Sequence, residues 1–194
     1  MKAKTGAGTV RIIGGKWRSR RLEVLEQGVR PTSDRVKETL FNWLSPILPG
    51  AVCLDLFAGT GALGFEAVSR GASHVDMVDG SHRVIELLKK QATILDAPEV
   101  NFYQLNLPDQ LNDLPSTVYD IVFMDAPFRQ NFLIPCCQWL EQTKRLASNA
   151  YIYIEMEKEL APLSVPATWE IWRNNLAGQV AYCLYKKTRL SNSS

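Results

Sequence analysis

The sequence has no apolar run long enough to span a membrane. Its longest uncharged apolar stretches, residues 44–54 and 131–140, contain prolines and fall short of the ~20 residues that a spanning helix needs. The first ten residues carry two lysines but no apolar segment of the kind found in secretory signals. The sequence therefore predicts a cytoplasmic protein with no membrane contact.

Cysteine and histidine are also scarce. The four cysteines form no C-x-x-C pair, and the two histidines, His74 and His82, do not lie near them in sequence. Such spacing is unlike that of disulfide frameworks or zinc sites. We expect buried or half-buried reduced thiols and no bound metal.

Acidic residues are sparse near the N-terminus. Residues 1–35 hold nine Lys or Arg and three Asp or Glu, a net charge of +6, whereas the remainder of the chain carries −4. This asymmetry predicts a basic arm, residues 1–30, that contacts a polyanion, followed by one globular domain, residues 31–188, and a polar tail, residues 189–194. The alternative is a solvated basic hairpin without a partner.

Two β-like runs around Gly14-Gly15 predict a hairpin within the arm. In its second limb, the two-residue period of a strand places Lys16, Arg18 and Arg20 on one face and Trp17 on the other. Cations of this kind beside an aromatic ring suit contacts to RNA phosphates and bases. The candidate RNA-binding residues are Arg11, Lys16, Trp17, Arg18, Arg20, Arg21 and Arg30.

After the arm, helical and strand-like segments alternate. Helix-start residues precede a predicted helix at residues 34–44, and further helices are predicted at 63–69, 83–95 and 133–143. The strand-like runs are residues 52–56, 74–78, 100–105, 121–124, 151–154, 170–173 and 180–185. Their alternation predicts an α/β fold with a doubly wound, mostly parallel sheet, whose last two strands form an antiparallel hairpin.

A glycine-rich loop follows the first of these strands, with Asp55 at the strand end and Gly59, Gly61 and Gly64 after it. Glycines at this position let a ligand approach the backbone. A dinucleotide oxidoreductase is one alternative, and an ordinary glycine turn is another. However, the Asp55 carboxylate would repel a pyrophosphate and attract the cationic groups of S-adenosylmethionine.

Two further polar residues end neighbouring strands. Asp79 lies 18 residues after Gly61, where such sheets place an acid that accepts from both ribose hydroxyls. Asn106 follows the next strand, and its amide matches the adenine amino group. The alternatives are a helix cap for Asp79 and a turn asparagine for Asn106.

A second candidate site follows the strand at residues 121–124 and consists of Asp125, Ala126, Pro127 and Phe128. The Asp125 carboxylate and the Ala126 carbonyl can accept both N–H bonds of an exocyclic amine and so direct its lone pair at a methyl donor. Pro127 would fix this geometry, while Phe128 stacks on the base. Methylation of a pyrimidine carbon would need a cysteine where this chain has Phe128.

These motifs together resemble the bacterial ribosomal RNA small-subunit guanine-N2 methyltransferase D family, within the class I S-adenosylmethionine-dependent methyltransferases. The match runs from about residue 10 to residue 187 and is carried by residues 11–18, 30–36, 55–64, 125–128 and 177–182. Where this chain has Ala126, the family usually has a second proline, and we expect activity to survive with a looser loop.

The resemblance implies a seven-stranded sheet with one antiparallel strand and methylation of N2 of one guanine in 16S rRNA. The implied partner is the small ribosomal subunit or a late assembly particle, and we expect the protein to bind it as a monomer. Cofactor binding is carried over to Asp55, Gly59, Gly61 and Asp79, with Phe57 and Asn106 as further candidates. Base handling is carried over to Asp125, Pro127 and Phe128.

Two alternatives stay open at this point. An adenine-N6 DNA methyltransferase would use the same Asp-x-Pro-aromatic loop for its amine. A non-catalytic ribosome-binding assembly factor would keep the fold and the arm without the chemistry. Thr32 lies in a matched motif, but its chemistry alone assigns it no role.

Overall fold

Nine strands and four helices make up the protein in a computed structural model that describes residues 8–25 and 32–188. Two short strands near the N-terminus pair antiparallel: β1 (Thr9–Arg11) and β2 (Arg21–Glu23). The other seven form the central sheet: β3 (Val52–Leu56), β4 (His74–Asp79), β5 (Val100–Gln104), β6 (Tyr119–Asp125), β7 (Leu146–Glu157), β8 (Trp169–Ala177) and β9 (Val180–Lys187). The helices are α1 (Asp34–Leu44), α2 (Ala62–Ser69), α3 (His82–Leu95) and α4 (Leu133–Gln142).

The order of strands in the central sheet is β5-β4-β3-β6-β7-β9-β8. All neighbours are parallel except at β9, which runs antiparallel to both β7 and β8. The predicted doubly wound sheet with one antiparallel strand is confirmed. Because the winding reverses between β3 and β6, the ends of these strands border the crevice where such sheets bind ligands.

Apolar side chains cover both faces of the sheet. Helices α1, α2 and α3 pack on one face, where Phe41 and Phe65 are fully buried. Helix α4 packs on the other face through Leu140. The four cysteines are buried free thiols, as predicted. Within residues 8–25 and 32–188, no helix has the length and apolar character needed to cross a bilayer.

Helix α1 begins and ends where the sequence predicts. Its N-cap, Ser33, accepts a hydrogen bond from the backbone N–H of Val36, which satisfies one of the free amides at the helix start. The four-residue spacing of Val36, Leu40 and Leu44 places all three in the core. This helix therefore holds Ser33 and the preceding Thr32 beside the sheet edge.

The N-terminal hairpin differs from the prediction. Instead of a tight turn at Gly14-Gly15, a one-turn 3-10 helix (Gly15–Trp17) lies between the strands. Gly15 has a φ of +75°, and a Cβ there would lie 1.7 Å from the carbonyl oxygen of Ser69 in α2. Close docking on α2 thus overrides the local two-residue period, and the predicted strand face of Lys16, Arg18 and Arg20 is wrong.

Candidate active site

A cavity of about 710 Å³ opens at the carboxyl ends of β3, β4, β6 and β7, within the size range of ligand sites. One side is lined by residues from the loops after β3, β4 and β5: Phe57, Gly59, Asp79, Gly80, Asn106 and Leu107. The other side includes the candidate base-handling residues Asp125, Ala126, Pro127 and Phe128. The topology therefore brings both predicted sites to one cavity.

The glycine loop after β3 is held by Asp79. The backbone N–H of Gly59 donates to the Asp79 carboxylate at 3.0 Å, and the N–H of Ser81 donates to it at 2.8 Å. Ser81, rather than Asp79, is the N-cap of α3. Because each carboxylate oxygen accepts more than one hydrogen bond, Asp79 keeps acceptor capacity toward the cavity.

Gly61 enables the turn from this loop into α2. Its φ is +73°, and a Cβ there would lie 2.6 Å from Leu88 of α3. Both the backbone conformation and the close packing therefore favour glycine. Gly61 shapes the loop without lining the cavity itself.

Asp55, whose carboxylate the sequence predicts to attract cationic groups of the cofactor, also lies outside the cavity lining. It is 2% exposed, and its carboxylate accepts a hydrogen bond at 2.9 Å from the backbone N–H of Gly64. Burial, with the nearby charges of Asp125 and Asp79, raises its pKa to about 8. The structure assigns Asp55 to anchoring the start of α2 behind the loop.

The segment after β6 presents an aromatic ring to the cavity. Asp125 is the last residue of the strand, Ala126 is buried, and Phe128 is 42% exposed. Burial raises the pKa of Asp125 to about 6, although a hydrogen bond from Thr32 opposes this shift. An accessible ring beside a carboxylate is the arrangement that the sequence predicts for holding a base.

Glu155 lies in the same cavity and was missed by the sequence analysis. It stands opposite Asp125 in the parallel pairing of β6 and β7 and is 6% exposed. The Thr32 hydroxyl lies 3.1 Å from Asp125 Oδ2 and 2.9 Å from Glu155 Oε1. The predicted strand ended at residue 154, so extending it by one residue would have brought Glu155 to this edge.

Phe132 is a second residue of the cavity that the sequence analysis missed. It directly precedes α4, seven residues after Asp125. An apolar residue just before a helix is typical of core packing, so nothing in the sequence marks Phe132 as a residue of the site.

The arm residues divide into two groups. Arg11 pairs with Asp34 at 2.9 Å, and Lys16 pairs with Glu99 at 2.6 Å. Trp17 is 7% exposed and packs edge-on against Phe65, so the prediction that its ring is available to RNA is wrong. Arg18, Arg20 and Arg21 are exposed, and within the part of the chain that the structure describes none of them forms an ion pair. Arg30 lies outside the described residues.

Comparisons with known proteins agree with this architecture. A family model described as "Conserved hypothetical protein 95" matches residues 10–186. "Ribosomal RNA small subunit methyltransferase D" of Escherichia coli is 45% identical over 184 residues, covering 94% of this chain and 92% of that protein.

Solved structures show the same likeness. "Putative methyltransferase yhhF from Escherichia coli" has a TM-score of 0.86 at 43% identity and covers 93% of this chain and 99% of that chain. "SMU.776, a putative methyltransferase complexed with SAH" shares the fold, with a TM-score of 0.68 at 15% identity over 95% of this chain and 57% of that chain. The chain therefore belongs to the ribosomal RNA small-subunit methyltransferase D family.

Proposed function

We propose that the protein transfers a methyl group from S-adenosylmethionine to the exocyclic N2 of a guanine in 16S rRNA. The observation that carries this proposal is the single cavity that joins Asp79 and Asn106 with the loop of Asp125 and Phe128. One side of the cavity suits a nucleoside and the other suits a flat base bearing an amine. The substrate is the small ribosomal subunit or a late assembly particle, and the protein acts as a monomer.

The residues of the first side fit the cofactor. The Asp79 carboxylate can accept from ribose hydroxyls, the Asn106 amide can meet the adenine edge, and Phe57 and Leu107 supply apolar walls. When bound, S-adenosylmethionine supplies an electrophilic methyl group on sulfur. Asp55 supports this side indirectly, since it holds the amide of Gly64 behind the loop.

The residues of the second side prepare the acceptor. The Asp125 carboxylate and the Ala126 carbonyl accept the two amine N–H bonds, which turns the lone pair out of the base plane. Phe128 stacks on the base, and such stacking contributes ~1–3 kcal/mol. Holding the amine in line with the methyl group can supply ~7–11 kcal/mol of the barrier.

The arm supplies the contact to RNA in this proposal. Arg18, Arg20 and Arg21 are exposed within four consecutive residues, where they can reach phosphates. The docking of the arm on α2 fixes its position relative to the cavity. Phosphate contacts of this kind position an RNA without reading its sequence.

The deciding experiment incubates the protein with labelled S-adenosylmethionine and small subunits from cells that lack the endogenous activity. Nucleoside analysis should place the label in N2-methylguanosine. Label in N6-methyladenosine would overturn the guanine assignment, and absence of label with intact cofactor binding would favour a binding factor.

Asp125→Ala is the matched variant for this assay. It should abolish transfer, because the amine loses its carboxylate acceptor, while cofactor affinity stays unchanged. Turnover retained by Asp125→Ala would contradict the proposed role of this residue.

A further inference from the structure

Asp125 and Glu155 both contact the same hydroxyl group. Their oxygens lie 3.1 Å and 2.9 Å from Thr32 Oγ1, and the two residues are cross-strand partners on β6 and β7. A hydroxyl carries one hydrogen, so it can donate to one carboxylate while accepting from the other only if that other is protonated. The arrangement is therefore built to hold one proton between two carboxyl groups.

Burial raises the pKa of both carboxyl groups, so the surroundings of this pair disfavour two negative charges. The Tyr153 hydroxyl donates to Glu155 Oε1 at 2.8 Å and opposes this rise at Glu155, and Tyr182 of β9 packs against Tyr153. Asp55 on β3 is another acidic group near the pair, and its pKa is raised by the charge of Asp125 and by that of Asp79, which ends β4 and lines the same cavity. Among the described residues, no salt bridge reaches either Asp125 or Glu155.

We propose that Asp125, Thr32 and Glu155 form a proton relay, with Glu155 as the final acceptor of the proton that the amine loses on methylation. This inference rests on the proposed function, because an exocyclic amine is the acceptor that must shed such a proton. It also gives Thr32, whose motif carried no assigned role, a specific task.

The amine lone pair forms the new N–C bond while the S–C bond breaks and leaves its electron pair on sulfur, so the positive charge passes from sulfur to nitrogen. The Asp125 carboxylate then takes one proton from nitrogen. Asp125 donates this proton to Thr32 Oγ1 while the hydroxyl hydrogen of Thr32 passes to Glu155.

Both carboxyl groups are shifted toward the protonated form. Burial raises the pKa of Asp125 to about 6. Burial and the neighbouring Asp125 charge raise the pKa of Glu155 to about 8. Either group can therefore hold the proton, and its passage to Glu155 through the Thr32 hydroxyl frees Asp125 to release the product base.

The relay predicts a rate that falls as pH decreases. Glu155 can accept a proton only when it is ionised, and a raised carboxyl pKa means that the group becomes protonated at a higher pH than usual. Positive charge on the bound methyl donor opposes this protonation. The methyl-transfer rate should thus rise with pH across the range that brackets the two pKa values.

The experiment measures single-turnover methyl transfer to small subunits at saturating S-adenosylmethionine across that pH range. Glu155→Gln should lower the rate by ~10²-fold, the lower end of the contribution of general acid–base groups. The acidic limb of its profile should also move to lower pH, because the amide carries no charge to repel that of Asp125. Cofactor affinity should be unchanged.

A matched pair of variants isolates the hydroxyl. Thr32→Val keeps the side-chain shape without the hydroxyl and should lower the rate by up to the same ~10²-fold, whereas Thr32→Ser should restore most of that loss. If Glu155→Gln does not fold, this pair alone decides. If Thr32→Val and Glu155→Gln both have the same rate and the same acidic limb of the pH profile as the wild type, the relay is overturned.

Product analysis of the wild type separates the two proposals. Methyl label on a base carbon or ribose oxygen would refute the exocyclic amine and the relay together. Label on an exocyclic amine, combined with unaltered variants, would refute the relay alone.

Discussion

The ring of Phe57 stacks on that of Phe132, with centroids 5.9 Å apart and planes 5° apart. Phe57 adopts a φ of +69°, a conformation that is uncommon for a bulky residue outside special sites. The stack joins the glycine loop after β3 to the segment before α4. Both rings also line the cavity, so the same contact shapes the site and connects its two sides.

Phe132→Ala should weaken S-adenosylmethionine binding. The substitution removes the partner that holds Phe57, and an aromatic pair contributes ~0.5–1.5 kcal/mol beyond burial. We expect a rise in Kd of about two- to twelvefold by calorimetry, which matches that energy range. Phe132→Tyr, which keeps the ring, is the control. Equal affinities for Phe132→Ala and the wild type would show that the stack does not support the cofactor side.

Asp55→Asn should make stability less dependent on pH. The folded state raises the pKa of Asp55 to about 8, so it retains a proton that the unfolded chain releases. The resulting stability is complete below the unfolded pKa and is lost as pH rises through the folded pKa. The amide keeps an acceptor for Gly64 and does not ionise. The Tm of the variant should therefore fall less toward alkaline pH, by roughly 2–4 °C for each kcal/mol of stability.

The same variant distinguishes two roles for Asp55. If Asp55 only anchors the loop, cofactor affinity should change little. A direct contact with a cationic group would contribute ~1.5–3 kcal/mol, and its loss would lower affinity more than tenfold. Parallel titrations of Asp55→Asn and wild type at neutral pH discriminate between these outcomes.

Glu66→Gln should loosen the arm. Glu66 is fully buried and accepts from the backbone N–H groups of Ile13 and Gly14 at 2.7 Å and 2.8 Å. Glutamine would turn a donor toward one of these amides, and an unsatisfied buried group costs ~1–3 kcal/mol. We expect faster hydrogen exchange of residues 12–17 and a lower Tm. Glu86→Gln, at an exposed site on α3, should have neither effect.

Replacing Arg18, Arg20 and Arg21 together with alanine should weaken binding to small subunits. Each lost phosphate contact should flatten the dependence of log affinity on log salt by about 0.7. Cofactor affinity should not change, because these residues lie outside the cavity lining. A control with Lys89, Lys144 and Arg173 replaced removes equal charge elsewhere. If both triple variants show the same salt slope, the arm is a solvated basic surface without a specific RNA contact.

Periodic patterns predicted most of the fold. The four-residue spacing of Val36, Leu40 and Leu44 located α1, and short apolar runs located all seven strands of the central sheet. The location of residues that end parallel strands, such as Asp79 and Asp125, could also be predicted, because parallel strands run in the same direction and end at one edge of the sheet. These features depend on local sequence or on simple topology.

The remaining features depend on tertiary packing. Trp17 was misplaced because the amides of its segment bind Glu66 and Ser69 of α2 instead of continuing a strand. Glu155 was missed because its significance comes from cross-strand register with Asp125, which no short motif contains. Likewise, the spacing that identified Asp55 could not show that its carboxylate points to Gly64.

Helix α2 sets the distance and the angle between the glycine loop after β3 and the arm. It starts directly after Gly61 and carries Glu66 and Ser69, which hold the arm, within eight residues. One inserted residue would turn the docking groups by about 100° around the helix axis and displace them by about 1.5 Å. Length variation should therefore be tolerated in the loops of this protein far better than within α2.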